Sequence, residues 1–236
     1  MGGGNTVTRL KLSFDSIDKI PQILSSFSTK NKKDFNERFN YLLVKPKKNK
    51  LEELFRYYGS DKYNNSFYST IYYNIFREIN NVKKIFEIGI GTTDLRIISN
   101  MGKSGKPGSS LRAFRDYLPK TKIFGADYDR RILFKENFIE TFYLDQTKLE
   151  TFVELDKKIG TDIDLCIDDG LHSVHSNLNS LSFFLGKIKK NSFVVIEDLL
   201  PIAEPIWYIV NSIISKDYVC GFLTKGPNSC FILKKL

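Results

Sequence analysis

Apolar and polar positions follow a helical period in the first part of the chain. Residues 51–58 and 67–79 each place their apolar side chains on one face, at the spacing of an amphipathic helix. Between them, the segment Gly59-Ser60-Asp61-Lys62 has the composition of a loop. We therefore expect residues 1–80 to form a helical N-terminal extension or lid, separate from a larger domain over residues 81–236.

The pattern changes after residue 82, where short apolar runs alternate with helical stretches. The predicted strands are 84–90, 122–126, 138–144, 164–167 and 192–196. The predicted helices between them are 110–117, 130–137, 149–159 and 175–185. Strands that alternate with helices of this length favour crossover connections and a parallel sheet.

The last residues of the chain show a different pattern of apolar and polar positions. Two strand-like runs, 218–224 and 229–233, flank the turn sequence Lys225-Gly226-Pro227-Asn228. This pattern predicts an antiparallel hairpin. The fold expected for the whole chain is α/β and Rossmann-like: a mostly parallel seven-stranded sheet with a C-terminal antiparallel hairpin and a helical N-terminal extension.

Four of the five central strands end in glycine or an acidic residue, at the edge where open parallel sheets bind ligands. The first strand ends in Gly89 and Gly91, which let the backbone turn tightly and approach a ligand. Asp94 stands where a dinucleotide fingerprint requires glycine, which disfavours a nicotinamide cofactor.

The next two strand ends carry groups suited to a nucleoside. Asp127 follows the second strand, and its carboxylate can accept hydrogen bonds from both hydroxyls of a ribose. Asp145 and Gln146 follow the third, where an acid and an amide can recognise an adenine edge.

The fourth strand ends in Asp168 and Asp169, and both histidines of the chain follow closely. A histidine with a near-neutral pKa can accept a proton from a hydroxyl group. We expect this role for His172. A satisfied surface or core position is the expectation for His175.

The fifth strand ends in Glu197 and Asp198, which would meet Asp169 at the sheet edge. Carboxylates this close repel one another unless a cation or a shifted pKa offsets their charge. Oxygen ligands favour Mg²⁺, with Mn²⁺ as an alternative. The competing interpretation is that Glu197 and Asp198 pair with surface lysines.

Composition and charge add a few limits. The net charge of +9 is concentrated near the N-terminus, where Lys45, Lys47, Lys48 and Lys50 could attract anionic lipid, nucleic acid or a phosphorylated substrate, or simply be solvated. The 3 cysteines lie in or beside apolar runs, which favours buried reduced thiols and a cytoplasmic location. No apolar run is long enough to span a membrane.

The first residues carry a possible lipidation signal. Gly2 and Thr6 stand where N-myristoylation requires glycine and a hydroxyl residue. Membrane association through an acylated Gly2 is one expectation, and a frayed tail or cloning remnant is the other. A single myristoyl chain binds membranes only marginally.

A series of motifs resembles the metal-dependent sugar O-methyltransferases of macrolide and anthracycline biosynthesis, a group of class I S-adenosylmethionine-dependent enzymes. In chain order the motifs are YYGSDK, FEIGIG, SLRAFRDYLPKTKIFGADYD, LDQT, IDDGLH and VVIEDL. They span about residues 57 to 200. The chain departs from the usual family pattern at Leu171, where a serine is common.

The resemblance implies S-adenosylmethionine and a divalent metal, Mg²⁺ or Mn²⁺, as cofactors. It implies these cofactor-site residues: Glu87, Gly89, Gly91, Asp127, Asp145, Gln146 and Asp168, with Asp61 and Lys62 as cofactor-side or lid contacts. It implies Asp169, Glu197 and Asp198 as metal ligands. It also implies His172 as the general base, beside Asp169.

The function expected from the resemblance is methyl transfer to a hydroxyl of a sugar or glycan substrate. A homo-oligomer is a separate possibility, because the resemblance does not cover the N-terminal region and so does not extend to oligomerisation. Two alternatives remain open. The basic N-terminal region could bring an RNA cap to a methyltransferase site. The chain could also be a binding or scaffold protein that kept the fold without catalysis.

Overall fold

The computed structural model describes residues 32–236, so the lipidation signal at Gly2 and Thr6 lies outside the described residues. The helices of the described part are α1 (Lys32–Glu37), α2 (Lys50–Tyr58), α3 (Phe67–Glu78), α4 (Ser109–Tyr117), α5 (Leu149–Ile159), α6 (Val174–Leu185) and α7 (Glu204–Ile213). The strands are β1 (Lys84–Ile88), β2 (Lys122–Asp127), β3 (Lys135–Glu136), β4 (Ile139–Tyr143), β5 (Ile163–Asp168), β6 (Ile188–Ile196), β7 (Tyr218–Lys225) and β8 (Asn228–Lys235).

The strands form one sheet in the order β3-β4-β2-β1-β5-β6-β8-β7. Neighbouring strands from β4 to β6 pair in parallel, whereas β8 pairs antiparallel with both β6 and β7. The mostly parallel sheet and its terminal hairpin are therefore confirmed. The chain winds from β1 towards β2 and β4 on one side and towards β5 and β6 on the other, so the order reverses beside β1, where a ligand crevice is expected.

The described residues form eight strands rather than the seven expected, and the difference lies where we predicted a helix over 130–137. A 3₁₀ turn, Arg130–Ile132, and the two-residue strand β3 occupy this segment instead. The backbone of Phe134 exchanges hydrogen bonds with Thr141 of β4. The backbone amide and carbonyl groups that a helix would have paired within itself are therefore hydrogen-bonded to the neighbouring strand. Helix α7, which carries the buried Trp207, was not predicted.

Alternate residues of the central strands point to opposite faces of the sheet, and each face packs against its own helices. Ile85 of β1 belongs to a core shared with α2, α3 and α4. Phe86, the next residue, belongs to a second core shared with α5, α6 and α7. We call these the first and second faces. Helices α2 and α3 thus pack directly on the sheet, and the division of the chain at residue 80 stays a prediction.

Helix α2 is bounded by two local signals that direct the chain back towards the sheet. The Asn49 side chain accepts a hydrogen bond from the Glu52 amide, which caps the helix start. Gly59 ends the helix in a left-handed conformation, with φ of 76°. The 3₁₀ turn that follows, Asp61–Ser66, brings Lys62 to the sheet edge.

Two other expectations can be compared with the described residues. Cys166, Cys220 and Cys230 are all buried, and none of them is joined by a disulfide bond, as predicted. No helix within residues 32–236 is both long enough and apolar enough to cross a membrane.

Candidate active site

A cavity of about 850 Å³ opens at the carboxyl ends of the central strands, beside β1. The predicted site residues that line it are Asp61, Lys62, Gly89, Gly91, Asp127, Asp145, Gln146, Asp169, His172 and Asp198. Three others, Glu87, Asp168 and Glu197, are buried and lie behind the cavity lining. The strand-end pattern therefore identified one shared location.

The two glycines after β1 make room for protein atoms. A Cβ atom on Gly89 would lie 2.0 Å from the Asp169 carbonyl oxygen, so only glycine lets β5 approach here. A Cβ atom on Gly91 would lie 2.3 Å from the Met101 sulfur. Both glycines have φ of 84°, which favours glycine independently of packing. Their absent side chains shape the cavity wall.

Asp127 and Asp145 present carboxylates to the cavity from neighbouring strand ends. The Asp127 oxygens accept hydrogen bonds from the backbone amides of Ile90 and Asp129, both at 2.9 Å. Burial raises the pKa of Asp127. Burial also acts to raise the pKa of Asp145, but hydrogen bonds from Thr147 and Lys148 outweigh it and hold that pKa below its usual range. A carboxylate accepts about four hydrogen bonds, so both acids retain capacity for a ligand.

The Gln146 side chain is committed to bonds within the protein. Its amide nitrogen donates to Asp168 Oδ1 at 2.8 Å and to Ser180 Oγ at 2.9 Å. Its carbonyl oxygen accepts from the Leu171 amide at 2.8 Å. Both amide hydrogens are therefore used, and a ligand can meet only the remaining lone pair of Oε1 or the backbone of Gln146.

Asp168 belongs to the second face, where it organises the loop after β5. Besides Gln146, its carboxylate accepts hydrogen bonds from Asn177 Nδ2 at 3.0 Å and from the Gly170 amide at 3.2 Å. The side chain is completely buried. Asp168 therefore supports the loop that carries His172.

Lys62 lies at the centre of an acidic cluster on the first face. Its ammonium nitrogen is 2.6 Å from Asp169 Oδ2 and 2.8 Å and 2.9 Å from the two oxygens of Glu197. A longer ion pair of 3.4 Å joins it to Glu87 Oε1. The sequence argument favoured a metal as the neutralising charge and left pairing with surface lysines as the alternative. Here Glu197 pairs with a lysine, but that lysine is buried.

The charged groups in this cluster, and their burial, shift the pKa values of its members. Burial acts against the Lys62 charge, but Asp169 and Glu197 outweigh it and raise the Lys62 pKa above its usual range. Burial raises the pKa of Glu197, and it raises that of Glu87 to about 7. One ammonium beside three carboxyl groups leaves an excess of acid, which protonation at these raised pKa values or a further cation would offset.

Two tyrosines of α3 complete the cluster, and sequence reasoning missed both. The Tyr72 hydroxyl donates a hydrogen bond to Glu197. The Tyr68 hydroxyl donates to Asp198 Oδ1 at 2.7 Å and accepts from the Asp198 amide at 2.9 Å. Their separation of four residues places both on one helix face, which was the signal available in the sequence.

The predicted metal ligands are only partly brought together. One ligand atom each from Asp169, His172 and Asp198 lie within 4.8 Å of one another, whereas Glu197 is held by Lys62. His172 Nε2 is 3.8 Å from Asp169 Oδ1, and His172 Nδ1 is buried with no hydrogen-bond partner among residues 32–236. The carboxylate oxygens of Asp169 and Asp198 are ligands that fit a divalent cation, and the imidazole of His172 lies beside them.

The two histidines differ in position. His172 lines the cavity and has φ of 54°, a conformation that few residues other than glycine adopt. His175 is exposed on α6, where its Nε2 is 3.3 Å from Asn179 Nδ2. His175 therefore takes the surface position, one of the two that were expected for it.

A long loop between β1 and α4 covers one side of the cavity. It contributes Ile97, Ile98 and Met101 to the lining. Arg131 pins the loop to the end of β2, because its guanidinium is 2.5 Å from Asp94 Oδ2 and 2.7 Å from Asp129 Oδ1. No pattern in the sequence predicted this ion-pair network.

No protein-family model matches the chain. Comparison with curated proteins finds two relatives that match part of it. The first is 8-demethyl-8-alpha-L-rhamnosyl tetracenomycin-C 2'-O-methyltransferase of Streptomyces olivaceus, 27% identical over 143 residues that cover 60% of this chain and 35% of the relative. The second, from the same organism, is 8-demethyl-8-(2-methoxy-alpha-L-rhamnosyl)-tetracenomycin-C 3'-O-methyltransferase, 28% identical over 116 residues that cover 49% of this chain and 27% of the relative. The chain thus spans about a third of the length of the curated relatives it matches.

Solved structures give the same picture of the fold. MycE methyltransferase from the mycinamycin biosynthetic pathway, in complex with Mg and SAH, superposes with a TM-score of 0.60 at 21% identity, over 80% of this chain and 55% of that chain. A complex of MycE with Mg, SAH and mycinamycin VI gives a TM-score of 0.61 at 21% identity, over 80% and 54%. The chain therefore has the class I methyltransferase fold and resembles the metal-dependent sugar O-methyltransferases.

Proposed function

We propose that this chain is an S-adenosylmethionine-dependent, divalent-metal-assisted O-methyltransferase that acts on a hydroxyl group of a sugar or glycan. The observation that carries the proposal is one cavity with two chemically distinct halves. Asp127 and Asp145 line the half suited to a nucleoside, and Asp169, His172 and Asp198 line the half suited to a hydroxyl acceptor. The relatives named for transfer to rhamnosyl groups agree with this chemistry.

In the cofactor half, the proposed partners are hydrogen-bond acceptors and a shaped backbone. Asp127 would accept hydrogen bonds from the ribose hydroxyls, and Asp145 would lie beside the base. Gly89 and Gly91 would line the path of the amino-acid part. S-adenosylmethionine would supply a methyl group bound to positively charged sulfur.

In the acceptor half, Asp169 and Asp198 would hold the divalent cation, which when bound would lower the pKa of the acceptor hydroxyl. Tyr68 keeps Asp198 in place by exchanging two hydrogen bonds with it. His172 Nε2 would accept the proton from the hydroxyl, and the nearby Asp169 carboxylate would stabilise the imidazolium that forms. Holding both reactants in one cavity supplies the proximity that the transfer requires.

The mouth of the cavity suits an acceptor with an apolar part. Ile98 and Leu200 line the cavity and remain 88% and 55% exposed. Small-molecule sites are lined largely by apolar side chains around a few polar groups. A sugar carried on an apolar small molecule is therefore our proposed substrate class.

A methyl-transfer assay tests the proposal. The chain is incubated with methyl-labelled S-adenosylmethionine and a panel of rhamnosylated small molecules, with Mg²⁺ or with EDTA. We expect label in a sugar hydroxyl with Mg²⁺ and its loss in EDTA. His172→Asn should lower the rate by about 10²–10⁴-fold, whereas the surface variant His175→Asn should retain it.

Each part of the proposal has its own contrary result. Equal methyl transfer in Mg²⁺ and in EDTA would contradict the role of the metal. Full activity of His172→Asn would contradict the assignment of His172 as the base. A protein that binds the cofactor but labels no sugar hydroxyl in the panel would contradict the proposed substrate class.

A further inference from the structure

The two carboxylate oxygens of Asp169 have different neighbours, because Lys62 contacts only one of them. Oδ2 is 2.6 Å from the Lys62 ammonium, whereas Oδ1 is the oxygen that lies 3.8 Å from His172 Nε2. One oxygen is therefore fixed within the protein, and the other is directed towards the histidine that lines the cavity. The orientation of the Asp169 carboxylate depends on this lysine.

The same ammonium also fixes Glu197. It contacts both Glu197 oxygens, and Tyr72 donates a further hydrogen bond to one of them. Both the lysine and Glu197 are almost completely buried, at 2% and 1% exposure. Burying a charge is unfavourable unless it is paired and hydrogen-bonded, so neither partner is stable here without the other.

We propose that Lys62 is a positioning residue: its ammonium group pre-forms the acidic half of the site, so that Asp169 and Glu197 hold their places before a divalent cation binds. The assignment of this half to metal and acceptor rests on the proposed function. The lysine arrives from the turn after α2, outside the sheet that carries its partners. It therefore joins the N-terminal helices to the chemistry at the strand ends.

This role has a consequence for the response to metal. Without the ammonium, the carboxylates of Glu87, Asp169 and Glu197 would repel one another in a buried space. A divalent cation could then supply the missing positive charge. A ligand that binds only the folded state raises its stability by mass action, so folding should become metal-dependent when Lys62 is removed.

The test compares thermal unfolding of the wild type, Lys62→Met and Lys50→Met, each in EDTA and in excess Mg²⁺. Methionine keeps an unbranched side chain that is only one heavy atom shorter than that of lysine, and it removes the charge. Lys50 is an exposed lysine outside the cavity. In Lys62→Met we expect a low midpoint in EDTA and a rise with Mg²⁺ at least about twice that of the wild type. Lys50→Met should behave as the wild type does. An equal loss of stability with and without Mg²⁺ would show that Lys62 only fills space, and would overturn the proposal.

A second variant keeps the test decisive if Lys62→Met does not fold. Lys62→Met/Glu197→Gln removes one charge of each sign, so the net charge of the cluster is unchanged. We expect this double variant to fold in EDTA and to be more stable there than Lys62→Met. A double variant less stable than the single variant would contradict the counter-charge role.

Binding of S-adenosylhomocysteine separates this inference from the proposed function. The response of Lys62→Met to Mg²⁺ does not require the cofactor. Loss of the proposed function would appear as a wild type that fails to bind S-adenosylhomocysteine. Failure of the Lys62 inference would appear as identical Mg²⁺ responses in wild type and Lys62→Met, whether or not the cofactor binds.

Discussion

Asp168 and Asp169 are adjacent in the chain, but their carboxylates lie on opposite faces of the sheet. Asp168 accepts hydrogen bonds from Gln146 and Asn177 on the second face. Asp169 pairs with Lys62 on the first face and borders the cavity. The alternation of side chains along β5 therefore gives the two acids different tasks, one in the loop structure and one in the proposed chemistry.

Alanine variants should separate these tasks. Asp168→Ala leaves the buried donors of Gln146, Asn177 and Gly170 without an acceptor, and we expect it to lower the free energy of unfolding by about 3–5 kcal/mol. Asp169→Ala should lower it less, because the change also relieves repulsion with Glu197. Urea unfolding measures both free energies.

Methyl transfer should depend directly on Asp169, whereas Asp168 should affect it only through the folding of the loop. Asp169→Ala should abolish methyl transfer and the response to Mg²⁺ in a chain that remains folded. A larger loss of stability in Asp169→Ala than in Asp168→Ala would contradict this division.

Gly170 should be intolerant of any side chain, because a Cβ atom there would lie 2.1 Å from Gln146 Oε1. We expect Gly170→Ala to displace Gln146, to lower the free energy of unfolding by about 1–3 kcal/mol, and to weaken S-adenosylhomocysteine binding. Gly186→Ala is the matched control, since its Cβ atom would meet the Phe183 carbonyl oxygen at an ordinary 3.6 Å. Calorimetric titration and urea unfolding of both variants check the prediction. Equal behaviour of the two would mean that the Gln146 contact is unimportant.

The Tyr72 hydroxyl should stabilise the acidic cluster through its hydrogen bond to Glu197. A hydrogen bond to a charged group contributes about 1.5–3 kcal/mol, so Tyr72→Phe should lower the free energy of unfolding by that amount. Tyr73→Phe, one position along α3, keeps the aromatic ring beside Arg77 and serves as the control. If both substitutions had the same small effect in urea, the tyrosine would contribute only its ring.

Stability should depend on pH through Glu87. Burial raises the pKa of this carboxyl from 4.5 to about 7 in the folded chain. Between these pH values the folded chain binds the proton that the unfolded chain has lost, so stability falls as the pH rises from 4.5 to about 7. The fall amounts to about 3–4 kcal/mol, since one pKa unit corresponds to about 1.4 kcal/mol.

Substitution isolates this contribution. Glu87→Gln should flatten the pH dependence of the unfolding free energy in that window, whereas Glu53→Gln, at an exposed position, should leave it unchanged. The measurement is urea unfolding across the window. An unchanged slope in Glu87→Gln would assign the pH dependence to other groups.

The strands of the sheet could be predicted because their buried apolar runs are visible in the sequence. The segment after β2 was predicted as a helix and is not one. The backbone of Phe134 pairs with Thr141 of β4 instead of with a helical partner. Helix α7 was missed although it carries a fully buried tryptophan. The pattern of apolar residues determines burial more directly than it determines backbone pairing.

The site could be located from its strand-end acids. The resemblance also named Lys62 as a cofactor-side or lid contact, but its pairing with the acids could not be predicted. Parallel strands bring their carboxyl ends to one edge, so Asp127, Asp145 and Asp169 were expected together. Lys62 reaches the cluster from a distant turn, and Tyr72 from a helix that was predicted only by its apolar residues. Such contacts depend on tertiary packing that no local pattern contains.

The measurement that tests the central claim most directly is calorimetric titration of the chain with S-adenosylhomocysteine, with Asp127→Ala in parallel. The account predicts saturable, micromolar binding of one molecule by the wild type and a clear loss of affinity in Asp127→Ala, whose carboxylate lines the proposed nucleoside half. Absence of binding to the wild type, in Mg²⁺ and in EDTA alike, would contradict the methyltransferase proposal.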